Sequence, residues 1–252
     1  MFDNMGALLT GENIVALLTL TLLEIVLGID NVIFIALLTG KLSPEVQAKA
    51  RKVGLLGAMG MRILLLLGIS WITKLTKPLF TLPVLNHEMT GKDLVLLIGG
   101  LFLIVKSTYE IHERIEEAGH SAEQKIRSAA TSFAGVIVQI MIVDIVFSLD
   151  SVITAIGMAR DVKIMIAAVI VSVAIMMVFA GAVSRFVEAH PTMKVLALSF
   201  LLLIGIMLVA DGLGHHIEKG YIYFAMCFAL AVEIVNVQIT KRRRRAGQPV
   251  AH

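Results

Sequence analysis

The apolar stretch at residues 14–38, IVALLTLTLLEIVLGIDNVIFIALL, decides the fold class of this chain. It contains only two charged side chains, Glu24 and Asp30, and it exceeds the roughly 20 residues that an α-helix needs to cross a bilayer. No basic segment precedes it, and it contains no small-residue cleavage site. The stretch is therefore interpreted as a retained transmembrane helix and not as a signal peptide.

The rest of the 252-residue chain repeats this character. Hydrophobic residues make up 58% of it and charged residues 16%, against about 25% charged residues in soluble domains. We predict an all-α integral membrane protein with about seven transmembrane helices. The predicted spans are residues 14–38, 53–73, 94–111, 133–159, 164–183, 195–210 and 221–240.

Lys and Arg are distributed unevenly between the two sets of alternate loops. One set, which includes the basic residues 241–245, holds fourteen of them, and the other set holds six. Because cytoplasmic loops are enriched in Lys and Arg, we predict an outside N-terminus and a cytoplasmic C-terminus. The basic tail directly follows an apolar run, which is typical of a lipid headgroup anchor rather than of a nucleic-acid partner.

Two segments of the chain repeat each other at an offset of 120 residues: EIVLGIDNVI at 24–33 and DIVFSLDSVI at 144–153. With three helices per unit, the two units must be inverted in the membrane, which is typical of alternating-access transporters with a midplane site. The predicted organisation is a leader outside the membrane, a first repeat, a cytoplasmic linker, a second repeat, a seventh helix and a basic cytoplasmic tail. Their ranges are 1–12, 13–112, 113–131, 132–211, 212–240 and 241–252.

The repeated segments carry four acids inside predicted spans, each costing about 2.5–3.5 kcal/mol on insertion scales. Such acids must be protonated, paired or exposed to water, and Glu24 and Asp144 are expected at the same depth. Gly28 and Ser148 are expected to loosen their helices and free carbonyl groups. The all-oxygen set favours Mg²⁺, Ca²⁺ or Mn²⁺, and the alternative is a set of structural polar groups. The predicted metal ligands are Glu24, Asp30, Asn31, Asp144, Asp150 and Ser151.

Two cations lie inside predicted spans. Arg62 is predicted to be a counter-ion of one acid, with a structural pairing as the alternative. Lys106 is predicted to extend to the membrane surface, with a role as counter-ion or in gating as the alternative. Glu110, His112 and Glu113, close behind it, are predicted to form a solvated helix end, with a cytoplasmic collecting site as the alternative. The single Cys227 excludes a disulfide framework.

The acidic repeats, together with FLIVK at 102–106 and EIHE at 110–113, resemble the TerC family over residues 12–240. The resemblance implies a bacterial inner-membrane protein of metal-ion homeostasis, with Mn²⁺ efflux as its activity and a historical link to tellurium resistance. The family's acidic membrane residues correspond to Glu24, Asp30, Asp144 and Asp150. In the second copy Asp replaces Glu and Ser replaces Asn, which implies an asymmetric site.

Three classes of function remain in competition. The first is an exporter of a divalent cation, with Mn²⁺ as substrate and protons in exchange; a Ca²⁺ exchanger is its variant. The second is an intramembrane aspartyl enzyme, which the missing Gly-x-Gly-Asp motif disfavours. The third is a scaffold for metal or tellurite stress. The inverted acids favour the exporter, a non-enzyme without a resident cofactor whose partners are the cation and the lipid bilayer.

Overall fold

A computed structural model of the chain describes residues 11–68, 75–82, 87–117, 132–158 and 161–245. Within these ranges, the side chains of residues 29, 30, 82, 114–117, 150, 154–158, 241 and 243–245 are not described. The described chain contains seven long α-helices and one two-stranded β-hairpin. The helices are α1 Gly11–Thr39, α2 Pro44–Leu67, α3 Gly91–Glu117, α4 Phe133–Met158, α5 Val162–Ala189, α6 Pro191–Gly212 and α7 Lys219–Arg245.

Six of these helices are long and apolar enough to cross a membrane. The remaining one is α2, whose charged side chains, among them Lys52 and Arg62, lower its apolar character. The prediction of an integral membrane protein with about seven helices is confirmed. Residues 69–73, the end of the predicted second span, lie outside the described residues.

Local sequence explains where several helices begin. Pro44 and Pro191 occupy the first turns of α2 and α6, where the missing N–H of proline costs no helical hydrogen bond. Asp161 caps α5, because its carboxylate accepts a hydrogen bond from the backbone N–H of Lys163 at 2.9 Å. At these positions, consecutive helices are separated by only a few residues.

The structure adds three details to the predicted organisation. The segment containing Pro78, between the second and third predicted spans, forms an antiparallel hairpin of β1 Pro78–Leu82 and β2 His87–Thr90. Helix α3 continues through Glu117, so the predicted linker at 113–131 begins inside a helix. Helix α7 continues through Arg245, so the first residues of the predicted basic tail are helical. Polar residues can extend both helices beyond the apolar segments, because Arg, Lys and Glu have high helix propensities.

Each packed pair of helices combines one helix of the first repeat with one helix of the second. Helix α1 packs on α5, and α4 packs on α2 in the corresponding way. Helix α3 packs along α6, its counterpart in the other repeat. We call α1, α2, α4 and α5 the four-helix body, and α3 with α6 the arm. Helix α7 packs mainly on α6, and exposed aromatic residues such as Phe224 and Phe228 give it a surface suited to lipid.

The two helices of the arm touch through their backbones. A Cβ atom at Gly100 would lie 2.7 Å from the carbonyl oxygen of Gly205, and one at Gly205 would lie 3.0 Å from that of Gly100. Any side chain at these positions would separate the helices. The arm is therefore a closely packed pair, and its contacts with the four-helix body are less extensive.

The bundle has two distinct ends. The β-hairpin and the first turns of α3 and α7 lie at one end, called the hairpin end. The last turns of α1 and α3 and the basic end of α7 lie at the other, called the tail end. The hairpin is fixed to α3 by Asp93, which accepts 2.8 Å hydrogen bonds from both the backbone N–H and the hydroxyl of Thr90.

Candidate cation site

A buried ion triad connects the two repeats in the middle of the four-helix body. Arg62 on α2 lies between Glu24 on α1 and Asp144 on α4. Its Nη1 donates to a Glu24 oxygen, and its Nη2 and Nε donate to Asp144 Oδ1 at 3.1 and 3.3 Å. The three side chains are 4–5% exposed. The sequence indicated that Arg62 would pair with one acid, whereas in the structure it pairs with both.

Asp144 has further partners from both repeats. Asn31 Nδ2 donates to its Oδ1 at 3.3 Å, and Ser148 Oγ donates to its Oδ2 at 3.1 Å. Ser151 donates to the backbone carbonyl of Ser148 at 3.2 Å and also interacts with the Glu24 carboxylate. Four of the six predicted ligands, Glu24, Asn31, Asp144 and Ser151, therefore come together. Their role as cation ligands stays a prediction.

The other two predicted ligands, Asp30 and Asp150, have side chains outside the described residues, although the helices that carry them are described. Both helices are continuous at this level. The expectation that Gly28 and Ser148 loosen them is therefore wrong. Gly28 instead permits close packing, because a Cβ there would lie 2.6 Å from Met176 Sδ on α5.

The described polar side chains of the triad and its neighbours form their hydrogen bonds and ion pairs with one another. Among them, no three of the types His, Cys, Asp and Glu converge closely enough to hold a metal ion. The carboxylates of Glu24 and Asp144 instead share the guanidinium of Arg62, which is charged at all accessible pH values. A cation entering here must displace Arg62 from at least one carboxylate.

A cavity of about 40 Å³ adjoins the triad. Arg62 and Ser151 line its inner part, and Lys219 and Tyr223 at the start of α7 line another part. Because a water molecule requires about 10–15 Å³ measured in this way, the cavity has room for water beside the guanidinium. Its walls connect the triad with the hairpin end of the bundle.

A second charged cluster lies at the tail end. Lys41, after α1, contacts Glu110 at 2.5 Å and Glu113 at 3.1 Å on α3. Lys106 contacts Glu110 at 2.7 Å. Glu110 is 5% exposed, so it is not part of a solvated helix end. Both lysines pair with the Glu110 carboxylate, so this carboxylate is a poor site for collecting cations. Lys106 therefore has a partner within the protein in addition to lying near the surface.

Two residues escaped the sequence reasoning. Lys41 looked like an ordinary loop cation, although it follows Asn31 by ten residues and so shares its helix face. Thr21 lies three residues before Glu24 and is 8% exposed, and its hydroxyl has no hydrogen-bond partner among the described residues. The buried hydroxyl of Thr39, in contrast, donates to the carbonyl of Ile35 at 2.7 Å.

Other polar residues near the helix ends have local partners. His216 Nδ1 lies 2.9 Å from the buried Asp211 carboxylate at the hairpin end. On α7, Asn236 lies 3.5 Å from Glu233 in an exposed position. Neither pair connects with the triad.

The fold and the triad define a class: α-helical multi-pass membrane proteins with paired charges buried between two sequence repeats whose helices pack on one another. Known proteins identify the family. The chain belongs to the integral membrane protein TerC family, whose family model matches residues 9–248. The resemblance seen in the sequence is thereby confirmed.

Several relatives cover nearly the same length. The chain is 52% identical to the UPF0053 inner membrane protein YgdQ of Escherichia coli K12 over 227 residues, which is 90% of this chain and 93% of that protein. A UPF0053 protein of Haemophilus influenzae is also 52% identical, over 90% of this chain and 94% of its own. The longer Escherichia coli protein YoaE is 50% identical, with 43% of its length matched. None of these relatives is named as an enzyme, and no solved structure matches the chain.

Proposed function

We propose that this protein exports a divalent metal cation, Mn²⁺, across the bacterial inner membrane in exchange for protons. The observation that carries the proposal is the buried triad of Glu24, Arg62 and Asp144. Two carboxylates and one guanidinium leave a net charge of −1 in a site from which bulk water is excluded. An excess of negative charge at this depth is costly unless a cation or a proton compensates it.

Arg62 serves as the internal substitute for the transported cation. When it withdraws from a carboxylate, Glu24, Asn31, Asp144 and Ser151 offer oxygen atoms from both repeats. Carboxylate, amide and hydroxyl oxygens are the ligands that Mn²⁺ and other hard divalent cations prefer. Asp30 and Asp150 belong to the same proposed ligand set. A return of Arg62 would then help to expel the cation.

Protons compete for the same oxygens. A carboxylate must be deprotonated to bind a metal ion, so the site holds either the cation or protons. In a pair of inverted repeats, the same site is exposed alternately to the two sides of the membrane. Protonation on the more acidic side releases the cation there, and deprotonation on the other side prepares the site for the next one.

Inverted membrane vesicles test this proposal directly. We expect vesicles that contain the protein to take up Mn²⁺ when their lumen is made acidic, and to take up little without the pH gradient. Asp144→Asn should abolish uptake because the amide keeps the size of the side chain but not its charge. Asp161→Asn is the matched control, since Asp161 only caps α5 and asparagine caps helices equally well.

Other classes of function give other results in the same vesicles. A Ca²⁺ exchanger would transport Ca²⁺ in preference to Mn²⁺ under the same gradient. A scaffold or an aspartyl enzyme would transport neither cation. Equal Mn²⁺ uptake by vesicles with and without the protein would refute the proposal, as would full activity of the Asp144→Asn variant.

A further inference from the structure

One face of α1 connects the triad with the tail end of the bundle. Asn31, Phe34 and Leu38 follow one another at intervals of three and four residues, and Lys41 continues the same stripe just beyond the helix. At 1.5 Å per residue, the stripe is about 15 Å long. It begins at a residue bonded to Asp144 and ends at the lysine bonded to Glu110.

This stripe is tightly covered. Phe34 and Leu38 are 4% and 3% exposed, and with Ser107 of α3 and Leu201 of α6 they line a cavity of only about 10 Å³. Such a volume is about the minimum for one water molecule. The cavity on the other side of the triad is about four times larger. Along this stripe, the described side chains leave too little room for a hydrated cation to pass from the triad to the tail end.

The closure is made between two packing units. Phe34, Leu38 and Lys41 belong to or follow α1 in the four-helix body, whereas Ser107 and Glu110 belong to the arm. The arm helices are held to each other by the backbone contact of Gly100 with Gly205. A polar connection across the boundary at this end is the ion cluster of Lys41 with Glu110 and Glu113.

We propose that Lys41 and Glu110 form a gate at the tail end of the transport path, with Phe34 and Leu38 as its apolar seal. The proposal rests on the transport function proposed above. The contact between Lys41 and Glu110 holds the arm against α1, and its release allows the two units to separate and water to reach Asn31. Lys106 positions Glu110 from the preceding turn of α3.

A purely structural ion pair makes a different prediction. If Lys41 and Glu110 only stabilise the bundle, their loss would loosen all buried regions together, and reversing both charges would restore all of these regions together. If they form a gate, their loss exposes the stripe on α1 alone. Reversal of both charges would then restore part of the closure, since the attraction between the two side chains is kept while Glu113 and Lys106 come to face like charges.

Thiol accessibility separates these two cases without requiring cation transport. Cys227 is the only cysteine and is exposed, so Cys227→Ser gives a background without thiols. Leu38→Cys in this background reports on the seal, and Val173→Cys, at a site 1% exposed in α5, reports on general unfolding. Each probe is labelled with a membrane-impermeant maleimide in vesicles of both orientations.

We expect Lys41→Met and Lys41→Glu to raise the labelling rate of the Leu38→Cys probe about tenfold, because a charge-assisted hydrogen bond is lost. The double variant Lys41→Glu/Glu110→Lys should return the rate toward its starting value. The Val173→Cys probe should stay unreactive throughout. Arg51→Met is the matched control, since Arg51 lies at the same end but bonds Ser184 inside the four-helix body.

Three results would overturn the gate: an unchanged labelling rate with Lys41→Met, an equal increase with Arg51→Met, or a parallel increase at Val173→Cys. These results are independent of the proposed function. Absence of Mn²⁺ transport by the unaltered protein would remove the transport proposal, whereas the labelling rates would still show whether the two units separate at Lys41 and Glu110.

Discussion

Removal of the guanidinium from the triad should strongly destabilise the protein. In the Arg62→Met variant, Glu24 and Asp144 lose their shared partner, and each side chain is at most 5% exposed. A hydrogen bond to a charged group contributes about 1.5–3 kcal/mol, so two carboxylates together lose about 3–6 kcal/mol. This agrees with the roughly 3–5 kcal/mol measured when one partner of a buried ion pair is removed.

Thermal unfolding of the purified protein in detergent measures this loss. For a chain of this size, each 1 kcal/mol lowers Tm by about 2–4 °C, so a loss of about 3–6 kcal/mol predicts a decrease of roughly 6–24 °C. The triple variant Arg62→Met/Glu24→Gln/Asp144→Asn should recover most of it, because no buried charge is left unpaired. The half-buried Arg51 provides the control. If Arg62→Met unfolds at the same temperature as Arg51→Met, the two acids do not depend on the guanidinium.

Further predictions concern the ligands, the arm, the orientation and the protons. Asp30→Asn and Asp150→Asn should each abolish Mn²⁺ efflux from intact cells without affecting insertion, and cells still protected by both variants would exclude these acids from the site. Gly205→Ala should lower Tm because its Cβ would meet the opposite backbone, whereas Gly60→Ala, with open space around it, should not. A reporter fused after Arg245 should indicate the cytoplasm; a periplasmic signal would contradict the predicted cytoplasmic C-terminus and the inversion of the two repeats. Calorimetric Mn²⁺ binding heats should differ between buffers of different ionisation enthalpy, and identical heats would exclude proton release.

The sequence predicted the membrane fold because length and hydropathy are properties of single segments. Each helix is recognisable without its neighbours, as are the acids that interrupt α1 and α4. The internal repeat also indicated that Glu24 and Asp144 occupy equivalent depths. Their common contact with Arg62 agrees with that expectation.

Contacts between segments could not be predicted in the same way. The pairing of Lys41 with Glu110 joins residues 69 positions apart, and nothing in either local pattern selects the other. Gly28 was interpreted as a weak point of α1, but its importance lies in the approach of Met176 from α5. A glycine in a helix permits both loosening and close packing, and only the neighbouring helix decides between them.

The packing of first-repeat helices on second-repeat helices has a consequence for synthesis and insertion. Glu24 and its partner Arg62 both lie in the first half of the chain, so α1 and α2 can enter the bilayer as a hairpin that already neutralises one acid. Asp144 follows 82 residues after Arg62, and the packing surfaces of α1 and α2 are completed only by α5 and α4. The ribosome must therefore deliver the second half before the first can reach its final arrangement.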